Sequence, residues 1–200
     1  STTTATITLQ SHICQNINNN GLITALLFLD LSRAFETLQH LILLHKLRYN
    51  YNFSKNATDL MASYLTNRQQ YVKYKNETSD CIPINTGVPQ GSILGPTLFN
   101  LYYSDFYRTF ENFRCIPQCI LYADDSTIEI IAYDLTELEA KVNEAMNALQ
   151  NYFNANSLIL NLSKTRIMIF NYNIPVNVSN FANIEVVNNF CFLGYHINTK

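Results

Sequence analysis

The 200-residue sequence has no tryptophan, only five glycines and five prolines, and no more than 14% charged residues. So few charges, set against 48% hydrophobic residues, exclude a disordered polyelectrolyte. A chain of this length buries about 70% of its unfolded surface, which is enough for a real core. It allows one compact domain, or one with an inserted lobe, but not two independent enzymes. No apolar run approaches the roughly 18 residues that span a bilayer. The longest, residues 22–29, is broken only by Thr24 and reads as a buried strand, so no membrane partner is expected. No initiator Met and no basic-then-apolar segment opens the chain, so no signal peptide is readable. A piece of a longer protein is expected, nuclear or cytoplasmic and not secreted. The five cysteines form no C-x-x-C pair and the four histidines lie at no metal-ligand spacing, which speaks for reduced thiols and against a zinc site.

What charge there is lies unevenly. Residues 46–75 carry six cations, among them Lys73 and Lys75, against Asp59 alone, and tyrosines are interleaved with them. Cations for phosphates and rings for bases suit a nucleic-acid strand, while a solvated face accounts for the composition equally well. Residues 124–144 carry seven carboxylates against Lys141.

Spacing predicts a helix over 5–18, a strand over 22–29 ending at Asp30, a helix carrying Phe35, Leu38, Ile42 and Leu47, a short helix around 60–65, and a strand near 70–75. Three glycines and two prolines within residues 86–96 forbid regular structure until Pro96, which opens a helix running to about 106. Two strands, 119–123 and 126–132, meet at Asp124 and Asp125. Thr136 with Glu139 predicts a capping box before a helix through 152, then strand character over 158–170 and a closing hairpin at Gly194. This order gives an α+β fold, an antiparallel sheet with helices on one face.

Three carboxylates, Asp30, Asp124 and Asp125, can then meet at one sheet end. Carboxylates held together repel one another and call for cations, and magnesium is the hard ion that suits oxygen ligands. Two such ions about 3.5–4 Å apart clamp the oxygens of a phosphoryl transfer. Spacing alone is served as well by Asp30 capping the next helix and the Asp pair solvating a turn.

The motifs decide the matter by resemblance. Phe28-Leu-Asp-Leu-Ser-Arg-Ala-Phe-Glu-Thr-Leu-Gln-His resembles the first catalytic motif of reverse transcriptases from LINE-type retrotransposons, which lack long terminal repeats. Gly87-Val-Pro-Gln-Gly-Ser-Ile-Leu-Gly-Pro resembles their second motif and Tyr122-Ala-Asp-Asp their third. Residues 63–72 match a fingers stretch, 156–170 the fourth motif and 192–197 the primer-grip region. A group II intron maturase shares the acidic motifs but fits residues 87–98 and 160–170 less well.

The resemblance implies a polymerase palm at 20–48 and 86–200 with a fingers insertion at 49–85, and no thumb within the chain. It implies attack of a DNA primer 3′-hydroxyl on a deoxynucleoside triphosphate (dNTP) under an RNA template. Asp30, Asp124, Asp125 and the Leu31 carbonyl would hold two Mg2+ ions, or Mn2+, with Lys164 as general acid. Arg33, Phe35, Gln90 and Gly91 would meet the nucleotide, Phe35 as the gate against a 2′-hydroxyl. Tyr122, Ala123, Lys73, Lys75, Phe192, Leu193 and Gly194 would meet primer or template. Glu36, Gln39 and Tyr152 depart from the family pattern. The remaining fingers, thumb and endonuclease are expected in the full-length polyprotein. The alternative is a catalytically inactive retrotransposon relic that at most binds nucleic acid.

Overall fold

The computed structural model describes residues 2–20, 22–89, 91–111, 113, 118–122, 125–170 and 180–199. In chain order it begins with helix α1 (Thr2–Asn20), strand β1 (Ile23–Leu29), the short α2 (Ala34–Thr37) and α3 (His40–Tyr49). Then follow α4 (Lys55–Leu65), β2 (Arg68–Gln70), β3 (Lys73–Tyr74), β4 (Glu77–Thr78) and β5 (Ile82–Ile84). Helix α5 (Gly95–Tyr103) runs into a 3₁₀ helix (Ser104–Phe110), followed by β6 (Gln118–Tyr122), β7 (Asp125–Ala132) and the long α6 (Leu135–Ala155). The chain closes with β8 (Arg166–Phe170), β9 (Asn180–Phe181), β10 (Ile184–Val186), β11 (Asn189–Phe192) and β12 (Tyr195–Asn198). Two compact units emerge, residues 1–32, 107–152 and 160–200 in the first, and 33–106 with 153–159 in the second.

The first unit is built on a six-stranded sheet in the order β6-β7-β1-β8-β10-β9, antiparallel except for the parallel β8–β10 pair. All seven residues of β1 are buried, as a strand of continuous apolar and β-branched residues requires at the sheet centre. Its register with β7 runs from Ile23↔Ala132 to Leu29↔Ser126. Leu26 and Phe28 project to one face with Met168 and Phe170 of β8, and meet Leu9 and Ile13 of α1 and Phe192 of β11. The four-residue spacing of Leu9, Ile13 and Ile17 gives α1 the stripe that this packing needs.

One charge is enclosed here. Glu129 of β7, 5% exposed, accepts a hydrogen bond from Asn16 Nδ2 at 2.8 Å and lies 3.5 Å from His12 Nδ1. Counted along the sequence it belongs to the acidic stretch, yet it faces inward, because the alternation of β7 places it opposite Leu26. Burial holds its carboxyl above the ordinary carboxylate range, with His12 and Asn16 working the other way.

In the second unit, α3 contacts both α4 and α5. Ser54 caps α4 by accepting from the Ala57 N–H at 3.2 Å. A chain of rings, Phe35–Phe99–Tyr103–Phe106–Phe153, forms the core with centroid separations of 4.6, 5.6, 4.8 and 6.0 Å. Lys46 is internal, its Nζ donating to the Tyr102 carbonyl at 2.6 Å and to Asp105 at 2.7 Å. Burial pulls its ammonium below the usual range, against the pull of Asp105. Lys46 is therefore removed from the basic stretch that would face a nucleic acid.

Several boundaries depart from the sequence reading. The helix expected through Phe35 and Leu47 is two helices, because Leu38 and Gln39 are drawn into extended backbone. The Leu38 carbonyl accepts the Gly87 N–H at 2.7 Å, and Gln39 bridges Thr86. The cap of α6 is Asp134, whose carboxylate accepts the Glu137 N–H at 2.8 Å, while Glu137 accepts the Tyr133 N–H at 2.7 Å. The capping pair thus stands two residues before Thr136 and Glu139. The strand expected over 158–170 is confined to Arg166–Phe170, since Asn161 O accepts from both Lys164 N and Thr165 N and closes a turn. The expected strand at 70–75 is divided between β2 and β3.

The burial of Glu129 has a sign in pH. Because its folded-state affinity for the proton is raised, folding binds protons between the ordinary carboxylate pKa and the raised one, and stability falls as pH rises through that window. Glu129→Gln, which keeps an acceptor for Asn16, is expected to raise the melting temperature at neutral pH. That gain should shrink as pH falls toward the ordinary carboxylate range, which melting curves across pH will check.

Gly87 sits at φ +79°, and a β-carbon there would lie 2.7 Å from the Glu36 carbonyl oxygen and 2.8 Å from that of Phe35. The clash is with backbone, so neither side can yield cheaply. Gly87→Ala is expected to destabilise the protein by about 2 kcal/mol or more in chemical denaturation.

Candidate active site

The end of β1 is where chemistry-bearing residues gather in the first unit. Asp30 follows Leu29 directly, and Leu29 is paired with Ser126, so Asp30 and Asp125 stand one step beyond the last register pair on neighbouring antiparallel strands. Both carboxylates line one cleft of about 230 Å³, together with Ser126, Lys164, Cys191 and Leu193. The Asp30 side chain is 37% exposed, open enough to meet a ligand.

Lys164 reaches the same cleft from the turn after α6. Leu160 bridges the buried Leu31, the Asn161 N–H donates to the Asp30 carbonyl at 2.9 Å, and Asn161 O then holds Lys164 and Thr165 by their N–H groups at 3.1 and 3.0 Å. The turn is thereby hung on the backbone of Asp30, and Lys164 Nζ lies 3.6 Å from Asp30 Oδ2.

The third wall is the β11–β12 hairpin. Leu193 at φ 50° and Gly194 at φ 86° make a two-residue turn of the primed kind, closed by the Phe192↔Tyr195 pair. Phe28, two residues before Asp30 and on the same face of β1, stacks on Phe190 at a centroid separation of 4.0 Å and meets Phe192 at 5.9 Å. Sequence reasoning passed over Phe28 and Phe190 as a pair. The available signal was that Phe28 and Asp30 share a strand face and that Phe190 and Phe192 share another.

Tyr122 is exposed and pairs with Asp125 across the β6–β7 ladder. Ala123, Asp124 and Gln90 lie outside the described residues. Among the described residues no group of three His, Cys, Asp or Glu side chains is placed to hold a metal, so the described acidic donors of the cleft are Asp30 and Asp125.

Arg33, Phe35, Lys73, Lys75 and Gly91 belong to the second unit. Arg33 adopts the left-handed conformation before α2, and its side chain is 80% exposed, 3.9 Å from Glu36. Phe35 is half-buried against Phe99, and its carbonyl accepts the Val88 N–H at 2.9 Å. Gly91 has φ +74° with nothing within 4 Å of an added β-carbon, so conformation rather than space selects glycine there. Lys73 and Lys75 are exposed on the β3–β4 hairpin, with Lys75 Nζ 5.4 Å above the Tyr74 ring and Tyr71 exposed nearby in the chain. A separate groove of about 1000 Å³ in this unit is lined by Arg33, Gln39, Arg68, Gln70, Asn85 and Gly87, among others.

Comparison with known proteins agrees with this architecture. A family model described as reverse transcriptase (RNA-dependent DNA polymerase) matches residues 2–197. The RNA-directed DNA polymerase from mobile element jockey of Drosophila melanogaster is 27% identical over 164 residues, covering 80% of this chain and 16% of that protein. The probable RNA-directed DNA polymerase from transposon BS of the same species is 30% identical over 147 residues, covering 72% of this chain and 15% of the relative. The chain thus spans about one sixth of the length of these relatives. Apo telomerase from Candida tropicalis, truncated from its C-terminal domain, superposes with a TM-score of 0.67 at 17% identity, over 99% of this chain and 38% of that one. Telomerase from Candida albicans gives 0.69 at 13% identity, over 99% and 34%. The structural likeness establishes the polymerase palm-like α+β fold, and the family model with the mobile-element relatives establishes the lineage: the chain belongs to the reverse transcriptase family, among the LINE-type members from retrotransposons without long terminal repeats.

Proposed function

We propose that this chain carries the nucleotidyl-transfer centre of an RNA-directed DNA polymerase, its palm at 20–48 and 86–200 and a fingers insertion at 49–85. The observation that carries the reading is the pair Asp30 and Asp125, aligned by the β1–β7 register and lining one cleft with Lys164. The donor set fits a hard divalent cation, since it is made of carboxylate oxygens and already has an ammonium group within 3.6 Å of one of them. Asp124, next to Asp125 in the chain, would complete the acidic triad, and the Leu31 carbonyl would add an oxygen. Two Mg2+ or Mn2+ ions bound there would supply charge neutralisation for the attacking 3′-hydroxyl and the leaving pyrophosphate.

The chain's own groups perform the rest. Asp30 and Asp125 fix the negative end of the site on rigid strands, so the oxygen positions are set before substrate arrives. The Lys164 ammonium is in reach of the same cleft and would donate its proton to the pyrophosphate oxygen as the bond to the α-phosphate breaks. The Phe192–Gly194 turn, stacked through Phe190 and Phe192 on Phe28, would bear on the primer end beside Tyr122 and Ala123. In the second unit, Phe35 would lie under the sugar, Arg33, Gln90 and Gly91 would meet the dNTP, and Lys73 and Lys75 would meet the RNA template.

Primer extension on an RNA template by a full-length polymerase carrying this segment tests the reading. Asp125→Asn is expected to lower the rate by at least about 10³-fold while leaving primer–template binding within a few-fold, because a metal ligand is lost and no backbone contact is. Equal activity of wild type and Asp125→Asn, or no extension by wild type with either Mg2+ or Mn2+, overturns it. Phe35→Ala is expected to keep deoxynucleotide incorporation and to admit ribonucleotides. Continued rejection of ribonucleotides by an active Phe35→Ala enzyme removes the gate role alone.

A further inference from the structure

We infer that Lys164 is the resident counter-ion of the carboxylate site and competes with the divalent cation for Asp30. The inference rests on the reading of Asp30 and Asp125 as metal ligands, and assigns Lys164 a task before chemistry begins.

Three observations carry it. Lys164 Nζ is 3.6 Å from Asp30 Oδ2, within ion-pair distance of the carboxylate that closes β1. Its placement is built into the backbone: the Asp30 carbonyl takes the Asn161 N–H, and Asn161 O in turn takes the N–H groups of Lys164 and Thr165. The turn is fastened a second time by Thr165 Oγ1 donating to Asn161 O at 2.9 Å and by the Arg166 guanidinium donating to the Ser163 and Thr165 carbonyls. The same backbone that presents Asp30 therefore presents its cation. Finally, Lys164 and both Asp30 and Asp125 line the same cleft, so an incoming cation and the ammonium share one negative field.

Two like-sited carboxylates repel, and without a cation the end of the sheet would carry that repulsion into folding. Lys164 offsets it. The Lys164 side chain is 67% exposed, so the pair is weak and can be displaced. With a divalent cation at Asp30, the Lys164 ammonium would be freed to face the leaving group in the same cleft. The arrangement thus makes Lys164 a positioning residue for metal entry as well as a candidate proton donor.

Mn2+ binding to the full 200-residue chain, followed by the loss of the free-ion paramagnetic resonance signal and by calorimetry, tests this without nucleotide or turnover. Lys164→Met is expected to tighten Mn2+ binding about two- to five-fold at low salt, the range that an exposed ion pair allows. The gain should fall as ionic strength rises. Lys164→Arg, which keeps the charge, should stay close to wild type. Lys55→Met, which removes another exposed cation, paired with Asp59 on α4, should also leave binding unchanged. In the double variant Asp30→Asn with Lys164→Met the gain should vanish, because the partner is gone. Unchanged or weaker binding by Lys164→Met, while Asp30→Asn and Asp125→Asn both weaken it, overturns the counter-ion role and leaves the metal reading standing. Mn2+ binding that neither aspartate variant weakens removes the metal reading and this inference together.

Discussion

The register between β1 and β7 is the constraint on which the rest depends. Side chains alternate across a strand, so a slip of one residue would turn Leu26 and Phe28 away from α1 and move Asp30 off the level of Asp125. Seven buried residues in β1 make such a slip expensive, since every one of them would exchange its surroundings. Precision at the acidic cleft is therefore bought by hydrophobic contact several residues away. The two carboxylates repel each other, and the apolar strand, with Lys164 beside Asp30, holds them in place.

Much of this was legible in the sequence. The apolar residues 22–29, broken only by Thr24, read as an interior strand, and its end placed Asp30. Pro96 marked the start of α5, and Gly194 the turn of the last hairpin. The stripe Leu138, Val142, Ala145, Leu149 is the buried face of α6, as its spacing required. The order of the motifs along the chain already resembles that of the reverse transcriptase family.

What remained hidden depends on tertiary partners that no local window contains. Lys46 and Glu129 look alike on the page, two charges within charged stretches, yet both are internal because Asp105 lies 59 positions from the one and Asn16 lies 113 positions from the other. The break between α2 and α3 carries no glycine or proline. It arises because backbone donors from the 86–88 segment claim the Leu38 and Phe35 carbonyls. The capping pair of α6 was misplaced for a different reason. Asp134–Glu137 and Thr136–Glu139 have the same spacing, and only the carboxylate of Asp134 is the better cap in place.

The dependence of α2 on that distant segment carries a kinetic meaning. A helix of four residues has no stability of its own, since nucleation costs more than one turn returns. The carbonyls of Phe35 and of the following Leu38 accept from Val88 and Gly87, about fifty positions later in the chain. Closing that loop costs chain entropy before any contact repays it. The conformation of Phe35 is then fixed late in folding and released early in unfolding. In hydrogen exchange, the amides of Gly87 and Val88 should open together with those of Glu36 and Thr37, as one unit, ahead of the strands that hold Asp30.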